Sequence, residues 1–153
     1  NKDIPLIYFS PKGKPLNQDT IEKFSSTKGV SIICGHFEGI DQRIIDLHDI
    51  EEISIGDYIL SGGEIATIVF LDSLVRLLPD VLGNNNSKKI ETFTDGLLEY
   101  PQYTKPNEFK GMKIPDILLS GNHKAIKEWQ ENQALSLTKL RRPDLIDKKK
   151  DKI

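Results

Sequence analysis

Three short apolar runs, each bounded by turn residues, predict buried parallel strands in the first part of the chain. They comprise residues 5–10, residues 30–35 and the first part of residues 53–61. Segments with helical character alternate with these runs. This alternation predicts an α/β architecture, in which ligands bind outside the carboxyl ends of the strands.

The predicted helices differ in how completely they are expected to be buried. Residues 17–26 begin with Asn17, a good N-cap residue, and residues 39–47 place Ile40, Ile44 and Leu47 at helical spacing. Residues 64–78 are apolar on nearly all sides and stop at Pro79, which predicts a deeply buried helix.

The second half of the chain has a different pattern. Residues 82–89 are polar without periodicity and predict a linker. A helix is expected over residues 122–140, capped near Asn122, with Ile126, Trp129 and Leu135 available for packing. The predicted organisation is an α/β domain over 1–81, an interdomain linker over 82–93 and a small helical domain over 94–153.

Composition narrows the class of protein. The chain has 153 residues, of which 37% are hydrophobic and 29% charged, enough for one good core and a small appendage. The longest apolar run, residues 65–78, contains Asp72 and Arg76 and is too short and too charged to span a bilayer. The single cysteine, Cys34, lies in an apolar run and is expected to be a small core residue, so a reducing, cytoplasmic setting is the simple interpretation.

Charge is divided unevenly along the chain. Residues 1–100 hold 9 basic and 16 acidic side chains, whereas residues 101–153 hold 12 basic and 7 acidic ones. A basic second half is typical of a surface that meets a polyanion such as nucleic acid. On charge alone, an ordinary lysine-rich solvated surface is about equally consistent.

The glycine-rich stretch at residues 51–64 is surrounded by acidic residues. No lysine or arginine occurs from Ile44 to Val75. Loops that bind phosphate work through bare N–H groups, with a lysine or a helix N-terminus nearby, and a polyphosphate would be repelled here. The stretch therefore favours a neutral or cationic ligand.

Five sequence blocks, in this order and spacing, resemble the bacterial tRNA (guanine-N1)-methyltransferase family. They are "IICGHFEGID" (32–41), "EEISIGDYILSGGE" (51–64), "LLEYPQYTKP" (97–106), "LLSGNH" (118–123) and "LRRPDL" (140–145). The resemblance implies a SPOUT methyltransferase with a trefoil knot, working as a homodimer. It also implies S-adenosylmethionine as the cofactor and tRNA as the substrate, methylated on N1 of the guanosine 3′ of the anticodon.

The resemblance implies a set of cofactor-binding residues on the loops that follow the three strands. An acidic, glycine-lined pocket suits a sulfonium cation that carries no phosphate. The implied residues are Tyr8, Phe9, Ser10, Pro11, Gly35, Ile55, Gly56, Asp57, Tyr58, Ile59, Leu60, Gly62 and Gly63. Without the flanking blocks, tight turns would explain the glycines better.

Two catalytic residues are implied in the same way. Methylation at N1 of guanine requires loss of the N1 proton while negative charge builds on O6. Arg76 matches the family's catalytic arginine, and Glu91 occupies the position of an aspartate proposed as general base. The alternatives from sequence alone are an ion pair of Arg76 with Asp72 and a solvated linker acid at position 91.

The remaining polar residues have several interpretations. Glu38 and Asp41 could contact the nucleotide or a divalent ion, or cap the following helix, so whether Mg²⁺ takes part is left open. His36 stands where the family usually has arginine, and with Glu38 and His48 it makes only a weak case for metal, so no metal site is predicted. The residues expected to contact tRNA are Glu38, Lys105, His123, Arg141 and Arg142.

The sequence also raises a rival function. Asn1 begins the chain only a few residues before the first predicted strand, and an upstream part of the same domain is expected to be absent. In the family, that part supplies another strand and a loop that holds the target guanine. The alternative hypothesis is therefore a truncated module that binds tRNA or cofactor without turnover.

Overall fold

The structure is a computed structural model that describes residues 4–79, 81, 92–93 and 96–150, with side chains to residue 146. The chain divides into two compact units, Asn1–Gly83 and Asn84–Ile153. Most of the predicted linker over 82–93 lies outside the described residues. No helix in the described ranges is long and apolar enough to cross a membrane.

Unit 1 is built on a three-stranded parallel sheet in the order β2-β1-β3. Its strands are β1 (Leu6–Pro15), β2 (Ser31–Ile33) and β3 (Glu51–Ser54). Its helices are α1 (Gln18–Ser25), α2 (Gln42–Leu47) and α3 (Gly63–Val75). The predicted alternation of helices with three parallel strands is confirmed.

The helix starts follow local capping chemistry. Asn17 caps α1 because its Oδ1 accepts a hydrogen bond from Thr20 N at 2.9 Å. In α2, Asp41 is the N-cap and accepts from Arg43 N at 2.9 Å, so the helix begins later than residue 39. The helical spacing of Ile40, Ile44 and Leu47 does not mark the buried side of α2: Ile45 is the buried residue, whereas Leu47 is 76% exposed. A helix of less than two turns offers one buried position, and Ile45 packs there with Tyr8 and Ile50.

Aromatic packing between α1, α3 and the sheet forms the core. Phe24 and Phe70 meet edge to face with ring centroids 5.3 Å apart, and Phe9 packs on Phe70 at 5.8 Å. Ile7 and Ile53 complete this centre and are almost fully buried. These contacts fix α3 against the sheet along one side only.

The other side of α3 contradicts the prediction of a deeply buried helix. Only Gly63, Ala66 and Phe70 are buried in it. The exposed apolar side chains of this helix, called the α3 face below, are Ile65, Ile68, Val69, Leu71 and Val75. An all-round apolar pattern predicts burial, but the sheet of unit 1 covers one side of the helix and leaves this face open.

An irregularity in β1 leaves four residues out of the pairing with β3. Both Phe9 and Lys14 pair with Ile53, so the residues between them form a bulge. Gly13 is required in this bulge, because a Cβ there would collide with the backbone of Glu52 and Ile53. The bulge places Ser10, Pro11 and Lys12 beyond the carboxyl end of the first half of the strand.

Most of the regular secondary structure described in unit 2 is helical. The unit contains a short hairpin, β4 (Glu108–Phe109) and β5 (Met112–Lys113), followed by α4 (Asp116–Leu119), α5 (His123–Arg141) and α6 (Pro143–Lys150). The predicted cap of α5 is confirmed, because Ala125 N donates to Asn122 Oδ1 at 3.2 Å. The hairpin was not predicted.

Thr138 is the buried polar centre of unit 2. Its side chain is fully buried, accepts a hydrogen bond from Leu98 N at 2.9 Å and donates one to Ala134 O at 2.7 Å. This residue therefore joins the irregular segment around residue 98 to helix α5.

Candidate functional site

A cavity of about 280 Å³ lies in unit 1 where the loops after the three strands meet. The bulge of β1, the segment after β2 and the loop between β3 and α3 form its walls. Because the carboxyl ends of parallel strands share one edge of a sheet, three loops distant in sequence converge there. The structure thus has a ligand-sized cavity at the position that the α/β pattern predicts.

The structure brings the residues expected to bind cofactor together around this cavity. Twelve of the thirteen line it. The exception is Asp57, an exposed residue in the loop after β3. Further lining residues that sequence reasoning did not assign to the cofactor include Lys12, His36, Phe37, Ser54 and Ser61.

The loop after β3 is braced by its own side chains. Tyr58 Oη donates to Ile55 O at 3.1 Å, and Ser54 Oγ donates to Gly56 O at 3.1 Å. Gly56 has φ +153°, and a Cβ at that position would collide with the Tyr58 ring. Glycine is therefore needed where the backbone runs against this tyrosine at the cavity wall.

Two walls of the cavity are connected by a pair of backbone contacts and a side-chain pair. Gly63 N donates to Gly35 O at 3.1 Å, and His36 and Gly62 form an isolated antiparallel bridge. Beside them, His36 Nε2 lies 2.5 Å from Glu64 Oε1. We call these contacts the wall clasp. They hold the segment after β2 against the start of α3.

The pairing of His36 with Glu64 was missed by sequence reasoning. The two residues are 28 positions apart, and nothing in their local patterns connects them. Hydrogen bonding to its own backbone N–H, and then to His36, lowers the pKa of the Glu64 carboxyl. A carboxylate in the first turn of α3 is also favoured by the helix dipole.

Cys34 is exposed, which contradicts its predicted place in the core. It follows β2 directly, and its Sγ lies 3.3 Å from Thr67 Oγ1 of α3. The apolar run that suggested burial ends with the strand. Cys34 therefore lies outside the core, beside the contacts of the wall clasp.

Charges around the cavity are more balanced than expected. Among the described lining residues, the ionisable side chains other than the tyrosines are those of Lys12, His36 and Glu38. Glu64 borders the lining through its bond to His36. The acidic character predicted for the glycine-rich stretch therefore lies mainly outside the cavity wall.

The two predicted catalytic residues do not join this cavity within the described chain. Arg76 is the exposed C-cap of α3 and is not among the described lining residues. Because α3 starts at the cavity with Gly63, its 13 residues carry Arg76 roughly 20 Å along the helix axis. Glu91 lies outside the described residues.

The predicted tRNA contacts fall in both units. Glu38 lines the cavity, while Lys105, His123 and Arg141 are exposed in unit 2. Arg142 forms a bidentate pair with Asp144 at 2.8 and 2.7 Å, which raises the pKa of its guanidinium. Of the two acids considered as helix caps, Asp41 caps α2. No group of three potential metal ligands occurs within the ranges that the structure describes.

The fold and the cavity define an α/β domain with a ligand site at the carboxyl edge of a parallel sheet. A family model described as "tRNA (Guanine-1)-methyltransferase TrmD" matches residues 1–148. The chain therefore belongs to the tRNA (guanine-1)-methyltransferase family, as the five sequence blocks predicted.

Curated relatives carry the corresponding name. A tRNA (guanine-N(1)-)-methyltransferase of Jannaschia sp. is 54% identical over 94% of this chain and 58% of its own length. Those of Pelagibacter ubique and Bartonella henselae are 54% and 55% identical, over 95% and 94% of this chain and 64% and 62% of their own lengths. The chain thus spans about three fifths of the length of these relatives.

Proposed function

We propose that this chain forms part of an enzyme that uses S-adenosylmethionine to methylate N1 of the guanosine 3′ of the anticodon in tRNA. Family membership supports the reaction class. The observation that carries the proposal is the convergence of twelve of the thirteen expected cofactor residues on one cavity.

The cavity wall suits a cofactor that carries a purine and no phosphate. Glycines at positions 35, 56, 62 and 63 leave backbone N–H and C=O groups accessible in its wall, as a purine needs for close approach. Added Cβ atoms at Gly35 and Gly56 would meet the rings of Tyr8 and Tyr58. Lys12 is the single lysine among the described lining residues, so a polyphosphate would find little compensation for its charge.

The bound cofactor would supply an electrophilic methyl group, and the chain's residues would prepare the guanine. A carboxylate at Glu91 is proposed to take the N1 proton, and the Arg76 guanidinium to stabilise the negative charge on O6. Both groups act on the base, so their loss should affect turnover more than cofactor affinity.

The position of Arg76 favours a site shared between two copies of the chain. Along α3, Ile65 and Ile68 of the α3 face are followed, at intervals of four residues, by Asp72 and then by Arg76, the C-cap of the helix. Ile65 and Ile68 are 57% and 61% exposed. Burying this face against a second copy would cover the apolar side chains and bring Arg76 into the interface, within reach of the partner's cavity.

Methyl transfer to defined tRNA transcripts tests the proposal. Transcripts with guanosine 3′ of the anticodon should accept labelled methyl groups, and reverse transcription should stop at that nucleotide because N1 methylation blocks pairing. Matched transcripts with adenosine there should accept none. A protein that binds both tRNA and S-adenosylmethionine without turnover would instead support the non-catalytic alternative.

A further inference from the structure

The β4–β5 hairpin presents two different faces. Lys110 and Gly111 connect its strands with φ +52° and +81°, the backbone of a tight two-residue turn. Phe109 pairs with Met112, and Glu108 pairs with Lys113. Directly opposed residues share a face, so Phe109 and Met112 lie together on one side. The other side holds the ion pair of Glu108 and Lys113, at 3.9 Å.

The apolar face of this hairpin is open and carries a positive charge. Phe109 is 58% exposed and Met112 is 68% exposed. Lys110 Nζ lies 5.5 Å from the centroid of the Phe109 ring. Since an exposed aromatic ring costs free energy in water, an open Phe109 and Met112 pair beside a two-residue turn points to a partner.

Charge decides which kind of partner fits. Residues 104–113 hold three lysines and one glutamate, and this glutamate is paired with Lys113. An apolar protein surface would have to desolvate the Lys110 ammonium beside the ring. An unpaired nucleobase can stack on the ring while its flanking phosphates meet the lysines, which uses both features.

We propose that the tip of the β4–β5 hairpin binds a single-stranded segment of RNA. Phe109 stacks on an unpaired base, Met112 packs against its edge, and Lys110 contacts a neighbouring phosphate. This inference rests on the proposed function, because it takes tRNA as the RNA that is bound, and it adds a contact surface in unit 2.

Substitutions at Phe109 separate stacking from mere apolar contact. Phe109→Ala and Phe109→Leu should each weaken tRNA binding about tenfold or more at fixed salt, whereas Phe109→Trp should bind like the wild type. Leu140→Ala is the matched control, since Leu140 is 79% exposed in the same unit and should leave affinity unchanged. Lys110→Ala should reduce the salt dependence of binding by about one phosphate contact.

A fluorescence measurement reports the stacking directly. In a Trp129→Phe background, Phe109→Trp should show quenching of the introduced indole when tRNA is added. An unpaired loop RNA should compete for this signal, and a perfect RNA duplex should not. Undiminished tRNA affinity in both Phe109→Ala and Phe109→Leu, or equal competition by the duplex, would overturn the inference.

The controls keep this inference distinct from the proposed function. If Phe109→Ala loses tRNA affinity while the wild type methylates no transcript, the contact surface stands and the enzymatic proposal fails. If the wild type methylates tRNA and Phe109→Ala binds it equally well, the surface fails alone. A change in sedimentation without a change in tRNA affinity would assign the tip to a protein partner and overturn the inference.

Discussion

The imidazole of His36 and the carboxylate of Glu64 form a hydrogen bond of 2.5 Å across the wall clasp. This contact joins a loop that follows β2 to the first turn of α3, and His36 itself lines the cavity. The pair therefore couples the geometry of the cavity to the ionisation of one carboxyl group.

Removing the charge of Glu64 should make the protein's stability less dependent on pH. The folded-state pKa of Glu64 is lowered from its usual 4.5, so ionisation stabilises the fold above that pH, and this contribution disappears as pH falls. The difference in free energy of unfolding between wild type and Glu64→Gln should be largest near neutral pH and shrink towards pH 3. Urea unfolding across this range measures it. His36→Arg, which retains an N–H donor for this carboxylate, should keep the wild-type dependence, and a pH-independent difference would contradict the assignment.

A side chain at position 56 should block the cavity. Gly56→Val places a branched Cβ against the Tyr58 ring and in a backbone conformation that valine rarely adopts. Titration calorimetry should show at least a hundredfold loss of S-adenosylmethionine affinity, roughly the effect of 3 kcal/mol. Gly29→Val is the control, because a Cβ there meets nothing within 4 Å. Equal affinity in both variants would exclude this cavity as the cofactor site.

A charge on the α3 face should separate the proposed dimer. Ile68→Glu puts a carboxylate in the middle of that face and should give a monomer in sedimentation, whereas Leu140→Glu should leave the wild-type species.

For the shared site, Gly56→Val and Glu91→Ala should each be inactive alone. Co-refolded in equal amounts, they should recover about a quarter of the wild-type activity, because half of the dimers then contain one site in which an intact cavity is served by an intact Glu91 of the other copy. Mixed dimers without activity would rule out sharing.

Arg141 and Arg142 should respond differently to replacement by alanine. Arg141 is exposed at the end of α5, so Arg141→Ala should weaken tRNA binding and lower its salt dependence by about one contact. Arg142 is held by Asp144 and lies 5.9 Å from the Phe93 ring centroid, so Arg142→Ala should mainly lower the melting temperature. Filter binding at several salt concentrations, together with thermal melts, distinguishes the two. The reverse pattern would show that Arg142 leaves Asp144 to bind RNA.

Thr138 should tolerate no apolar replacement. Thr138→Val keeps the volume but leaves the Leu98 N–H without its acceptor, which should cost about 1–3 kcal/mol of unfolding free energy. Thr138→Ser retains the hydroxyl and should be less destabilising. Chemical denaturation of the three proteins tests this order, and a valine variant as stable as the wild type would contradict it.

Sequence reasoning was most successful where the determinants are local. The strand and helix alternation and the caps at Asn17 and Asn122 follow from neighbouring residues, and the structure reproduces them. It was wrong where burial depends on what covers a surface, as for the outer side of α3 and for Cys34. The contact of His36 with Glu64 and the bulge of β1 arise only after distant segments pack. The hairpin had a weak signal in the sequence, namely Gly111, because a two-residue turn with positive φ angles favours glycine.

The bulge of β1 also determines which changes of length the chain can accept. Residues on both sides of it pair with the same Ile53, so the strand leaves the sheet, lines the cavity and returns in register. Inserting or deleting one residue between Phe9 and Lys14 would turn the returning half of the strand over, exposing one face of it and burying the other. The pairing on both sides of the bulge therefore fixes the number of residues in it, independently of the side chains that line the cavity.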